Sequence, residues 1–187
     1  MRRFPKARPR FTAGLDDSVQ CRAVSLYSSA VFGGGGNHQR GGRPLGIRSL
    51  EPERCYAVAY TAMEPETALA ECLAHARYYN LPLSTALPRV LVSLVLGATS
   101  VLDLCDANLR RALHIALDEI TATDWRRENR RSREAVTQAW GAAFTAAGFE
   151  ALIAPSAAKN DGTNVVVFPE NLRRPSEFFI ETEVQFG

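Results

Sequence analysis

Apolar and polar residues follow one another along this chain in two rhythms, and these place most of the secondary structure. Residues Cys21 to Tyr27 alternate as a half-buried strand does, and CYAVAYT (55–61) is a second β-prone run. EPETALAECLAHARYY (64–79) has Pro65 in its first turn and acids early. Leu69, Cys72, Leu73 and Ala76 form one apolar stripe, which predicts a helix with a normal start. PRVLVSLVL (88–96) reads as a buried strand and residues 100–104 as a short one. Helix is expected over 106–120 and again from about 132 to 147, where Gly148 ends it. Ala151–Ala154 and Val165–Phe168 are short apolar strands, and EFFIETEVQF (177–186) is an alternating one. Strands and helices mix without a regular βαβ rhythm. The expectation is therefore an α+β fold, a compact single domain whose mixed or antiparallel β core is flanked by helices.

Two segments fall outside these rhythms. Residues 1–18 carry Arg2, Arg3, Lys6, Arg8 and Arg10 with two prolines, and are expected to form a flexible basic arm ahead of a domain over 19–187. Gly33 to Gly36, followed by Gly41, Gly42 and Gly46, predict a long loop in which the backbone turns sharply or approaches something closely. The loop lacks both the strand-to-helix GxGxxG arrangement and a GK[ST] end, so it is neither dinucleotide fingerprint nor P-loop.

Composition narrows the class of function. With 187 residues, 46% apolar and 22% charged, the chain can bury one substantial core. A net charge of +2 argues against a general nucleic-acid binder, and Asp124, Glu128 and Glu134 dilute the arginines at 126, 127, 130, 131 and 133, a run expected to be a solvated face. Cys21, Cys55, Cys72 and Cys105 are widely spaced, with no CxxC pair and no Cys/His cluster. They predict buried, reduced thiols in a cytoplasmic protein, and no metal site. No run reaches the roughly 18 apolar residues of a membrane span. His38, His75 and His114 have no mutual spacing that suggests ligands; His75 is one turn from Glu71, where bordering the pocket is the alternative to the exposed surface position that is expected.

Chemistry is concentrated in a few side chains. Arg22 precedes the glycine-rich loop and Arg43 ends it; such a pair suits a pyrophosphate. Tyr60 and Glu71 lie 11 residues apart, on a strand end and the following helix. An aromatic face can stack on a cationic ring, and a carboxylate can stabilise positive charge growing on a sugar. Ser156 is expected in the turn between two short strands and Asn164 at the start of the second. Glu66, in the first helical turn, is better explained by the helix dipole.

With CRAVS (21–25), GGRPLG (41–46), YAVAYTAMEPETALAE (56–71), GFEALIAPSA (148–157) and NVVVFPEN (164–171) in this order, the chain resembles the RES-domain family, named for its arginine, glutamate and serine. The resemblance implies an α+β fold similar to ADP-ribosyltransferase toxins, and a toxin paired with a helix-turn-helix (Xre-like) antitoxin. It implies NAD⁺ as substrate rather than as a prosthetic group, with hydrolysis, phosphorolysis or transfer of ADP-ribose to a protein as the reaction. Arg22, Glu71 and Ser156 fall on the family's naming residues; Arg43 and Tyr60 fall on further site positions, and Asn164 opens the matching NVVVFPEN stretch. Catalytic work is thereby implied for Glu71, Arg22 and Tyr60, and NAD⁺ contacts for Arg22, Arg43, Tyr60, Ser156 and Asn164. Pro44 stands where the family typically has Trp, and Ala23 where some members carry an aromatic residue. Water, phosphate or protein as acceptor is left open, as is homodimerisation; a non-catalytic nucleic-acid-binding module is the remaining alternative.

Overall fold

The computed structural model describes residues 19–28, 58–82 and 89–186, with side chains over 58–82 and 91–182. The arm at 1–18 and the glycine-rich loop, including Arg43, lie outside these residues. Seven strands make one sheet in the order β4-β5-β6-β2-β1-β3-β7: β1 (Val19–Ser28), β2 (Ala59–Ala62), β3 (Arg89–Ala98), β4 (Val101–Asp103), β5 (Ala151–Pro155), β6 (Thr163–Val167) and β7 (Glu177–Phe186). Every pairing is antiparallel except β4 with β5. A parallel pair needs a long crossover. The crossover here holds α2 (Ala107–Ala112), α3 (Leu117–Thr121), α4 (Trp125–Arg130) and α5 (Val136–Ala146); α1 (Pro65–Tyr78) instead joins β2 to β3. The α+β expectation holds, with a mixed sheet.

Helix ends explain where the structure departs from the sequence reading. The helix expected over 106–120 divides in two. Asp106 caps α2 by accepting from the Asn108 amide at 2.8 Å, and His114 takes a φ of 56°. The Ile115 amide then bonds back to the Arg110 carbonyl and the His114 amide to that of Arg111, closing a Schellman turn. That turn lowers Ile115 into the core. Asn80, Ser132 and Gly148 end α1, α4 and α5 with the same pair of bonds. The arginine-rich stretch is thus a helix of its own, and α5 begins at Val136 rather than near 132. Periodicity cannot announce such closures, because three of the four left-handed residues are not glycine.

The core lies on both faces of the central strands. Leu152, Ala154 and Val166 pack with Leu104, Ile115 and Phe168 beneath Trp140 and Phe144 of α5. On the opposite face Ala151, Val165 and Val167 meet Leu96 and Ala98. α1 lies over β2 through Ala68, Leu69 and Cys72. The expectation of buried thiols fails for Cys105, which is exposed just after β4, and is half met by Cys72, which is partly buried. No described helix is long and apolar enough to cross a membrane.

One buried acid ties the sheet's connections together. Glu150 is 2% exposed. Its carboxylate accepts from the Thr99 amide (2.6 Å), the Thr99 and Ser176 hydroxyls, and the amides of Ser100 and Arg173. These bonds fasten the β3–β4 turn and the approach to β7 onto the start of β5. Burial alone pushes the Glu150 pKa up, but the Arg173, Thr99, Ser176 and Ser100 donors outweigh it and hold the carboxyl below the ordinary value. The folded state therefore binds this proton less readily than the unfolded chain, whose glutamates titrate near about 4.3. Stability is present above that pH and is lost as pH falls through the folded-state pKa. Calorimetry of Glu150→Gln should show destabilisation of about 1–3 kcal/mol at neutral pH. It should also show a flatter fall in Tm on acidification than the native chain; an identical fall would contradict the account.

Candidate active site

The site forms where α1 crosses β2 and β6, and the register of those strands builds it. Tyr60 pairs with Val166, and Asn164 stands between Ala62 of β2 and Ala154 of β5. Both cross-strand neighbours of Asn164 are alanine, so its amide has room above the sheet. α1 presents Glu71 to that space, off the apolar stripe that packs on β2. Gly162, in the β5–β6 loop, lies so close to Thr67 of α1 that a Cβ there would come within 2.8 Å of the hydroxyl. The loop and the helix therefore meet directly.

Asn164 and Ser156 converge on one carboxylate oxygen. The Asn164 Nδ2 and the Ser156 Oγ each donate to Glu71 Oε1 at 2.7 Å. The second Nδ2 hydrogen goes to the Tyr60 hydroxyl at 3.0 Å. Ser156 Oγ also accepts from the amides of Ala158 (3.1 Å) and Lys159 (3.2 Å), which turn the loop around it. Both Asn164 and Ser156 are buried. Glu71 Oε2 takes no hydrogen bond from any described residue, and neither does the buried Asn164 Oδ1. A buried acceptor without a donor costs on the order of 1–3 kcal/mol, so Oδ1 is placed to accept a donor that no described residue supplies.

Tyr60, Glu71 and Asn164 line a cleft of about 510 Å³, a volume suited to a nucleotide-sized molecule, and Ser156 holds Glu71 from behind its wall. Its floor is apolar, with Leu152, Val166, Phe168, Trp140 and Phe144. The Tyr60 residue is 39% exposed, and its hydroxyl is the inner end, beside Asn164. Burial, then the neighbouring Glu71 charge, push the Tyr60 pKa far up against the opposing effects of Asn164 and Arg126, so the phenol stays protonated.

Four of the six residues singled out in the sequence, Tyr60, Glu71, Ser156 and Asn164, thus share one hydrogen-bonded cluster. Arg22 lies in β1 opposite Val95, two residues before Val24, which pairs with Ala62. Its side chain, and all of Arg43, lie outside the described residues. Three further residues line the cleft. His75, expected at the exposed surface, is partly buried in the wall one turn beyond Glu71, and its Nδ1 meets Arg126 Nη2 at 3.1 Å. Trp125 and Arg126 complete that wall. Arg126 was assigned with its neighbours to a solvated face; the structure separates it from them. Arg127, Arg131 and Arg133 gather on Glu128 at 2.7–3.9 Å, whereas Arg126 turns inward. The available signal was helical phase: 126 and 130 share one stripe, 127 and 131 the next. Among the described residues no cluster of His, Cys, Asp or Glu could hold a metal ion.

Comparison with known proteins agrees with the fold. A chain of the M. tuberculosis MbcT–MbcA toxin–antitoxin complex has the same fold, with a TM-score of 0.62 over 90% of this chain and 85% of that one, at 18% identity. No curated protein matches the sequence significantly. The family profile described as the RES domain matches residues 20–185, nearly the whole chain and every residue of the cluster. This protein belongs to the RES-domain family.

Proposed function

We propose that this protein cleaves the nicotinamide–ribose bond of NAD⁺, and that it is a toxin restrained by an antitoxin partner. The observation that carries the chemistry is the Glu71 carboxylate, tethered through one oxygen by Asn164 and Ser156 inside the cleft, with its other oxygen untied. Nicotinamide is a good leaving group because its ring nitrogen is already cationic. As the C1′–N1 bond breaks, the electron pair returns to N1 and positive charge spreads over C1′ and the ring oxygen of the ribose. A fixed carboxylate beside that ring stabilises the charge as it develops.

Each neighbour has a part in this reading. Ser156 and Asn164 orient Glu71, and the Tyr60 ring offers its face to the nicotinamide. Asn164 Oδ1 is an acceptor for a ribose hydroxyl or the nicotinamide amide. Arg22 and Arg43 neutralise the pyrophosphate. The ribosyl carbon is then captured by water, which releases a proton, by phosphate, or by a nucleophile on a protein. The toxin reading is supported by family membership and by the likeness to a chain of a toxin–antitoxin complex. A nucleic-acid-binding module is less well supported, since Arg127, Arg131 and Arg133 gather on Glu128, which offsets one of their charges, and Arg126 lines the cleft instead of the outer face.

Purified full-length protein incubated with NAD⁺ and phosphate should release nicotinamide, measured chromatographically. Glu71→Gln should lower kcat about 10²–10³-fold while changing KM little; an unchanged kcat would remove Glu71 from the chemistry. Labelled NAD⁺ in lysate separates the acceptors. Free ADP-ribose or its 1-phosphate indicates depletion of NAD⁺, and a labelled protein band indicates transfer.

A further inference from the structure

Arg126 is a guanidinium in the cleft wall with no carboxylate partner among the described residues. Among the described residues its only hydrogen bond is the one from Nη2 to His75 Nδ1, and its Nε is buried without an acceptor. Three aromatic rings hold it: Trp125 at 4.3 Å, Tyr78 at 5.0 Å and Tyr79 at 5.9 Å from the guanidinium carbon. Arg130 lies over the outer part of the same shelf, 5.3 Å from the Tyr78 ring. The one nearby acid on this helix's threshold, Asp124, is engaged with the Arg127 amide and the Tyr78 hydroxyl. A stacked arginine with spare, fork-shaped donors pointing into a cleft suits a planar or tetrahedral oxyanion.

We propose that Arg126 forms a phosphoryl-binding subsite, built by α4 against the C-terminal half of α1. Its placement rests on the NAD⁺ reading above. Glu71 and His75 are four residues apart on one face of α1, about 6 Å along the axis, and Arg126 reaches the site through His75. A ribose ring and one exocyclic carbon separate an anomeric carbon from its 5′-phosphate. With the anomeric carbon at Glu71, a phosphoryl group therefore falls within reach of the wall that Arg126 occupies. Tyr60, Glu71, His75 and Arg126 all line the same cleft. The phosphoryl oxygens come either from the dinucleotide's pyrophosphate or from a free phosphate acting as acceptor.

Binding can be measured without turnover, so that this subsite and the proposed reaction fail separately. Titration calorimetry of the full-length protein with inorganic pyrophosphate, and separately with orthophosphate, should show affinity that falls tenfold or more in Arg126→Gln. Arg126→Lys, which keeps the charge but loses the fork, should weaken binding severalfold, and Arg127→Gln, on the outer face, should not change it. Native affinity in whichever of the two Arg126 variants retains the native circular dichroism would overturn the proposal. Where NAD⁺ is turned over, a raised KM for NAD⁺ in Arg126→Gln assigns the subsite to the dinucleotide. A raised requirement for phosphate at unchanged KM for NAD⁺ assigns it to the acceptor.

Discussion

The arrangement of this protein depends on how one carboxylate is held. Glu71 sits on a helix that crosses a sheet, and a carboxylate on a long side chain would ordinarily sample several rotamers. Asn164 and Ser156 remove that freedom by donating to the same oxygen, Oε1, from two different elements. The consequence is asymmetric. One oxygen is spent on structure and the other is left for whatever enters the cleft. Asn164 transmits the same constraint to Tyr60, so aromatic ring, acid and amide move as a unit on β2, α1 and β6.

The sheet exists in the form that this unit requires. Asn164 interrupts an otherwise apolar strand, and it is tolerated because alanines flank it on both neighbouring strands and Glu71 and Tyr60 take up its donors. Glu150, one strand earlier, solves the opposite problem. Its charge is satisfied wholly by internal donors and serves architecture, not the cleft. The buried side chains of Asn164 and Glu150 thus have different ends, and the difference is whether any oxygen is left over.

Strands were legible in the sequence wherever alternation or a short apolar run was bounded by turns, as in EFFIETEVQF and ALIA. The start of α1 was legible from Pro65 and Glu66. Most of the cluster was legible too, because Tyr60, Glu71, Ser156 and Asn164 lie in contiguous motifs whose order along the chain mirrors their assembly. The wall built by α4 was not. A helix of six residues has too few turns to display a hydrophobic face, and its arginines look alike until a fold sorts Arg126 inward and Arg127 outward. His75 was misjudged for a related reason: its environment is supplied by Arg126, 51 residues away. The breaks at His114 and Ser132 were hidden because closure there uses ordinary residues at positive φ.

Whether Asn164 and Ser156 act through Glu71 is the most direct question that can be put to this account, and a mutant cycle answers it. Turnover would be measured for Asn164→Ala and Ser156→Ala, each in the native background and in Glu71→Gln. The account predicts that each change lowers kcat in the native chain and that, once the carboxylate is gone, Ser156→Ala has little further effect and Asn164→Ala keeps only the part due to its Oδ1, since groups acting as one unit are non-additive. Full additivity of the losses would contradict it, because the asparagine and the serine would then be serving the reaction independently of the acid they hold.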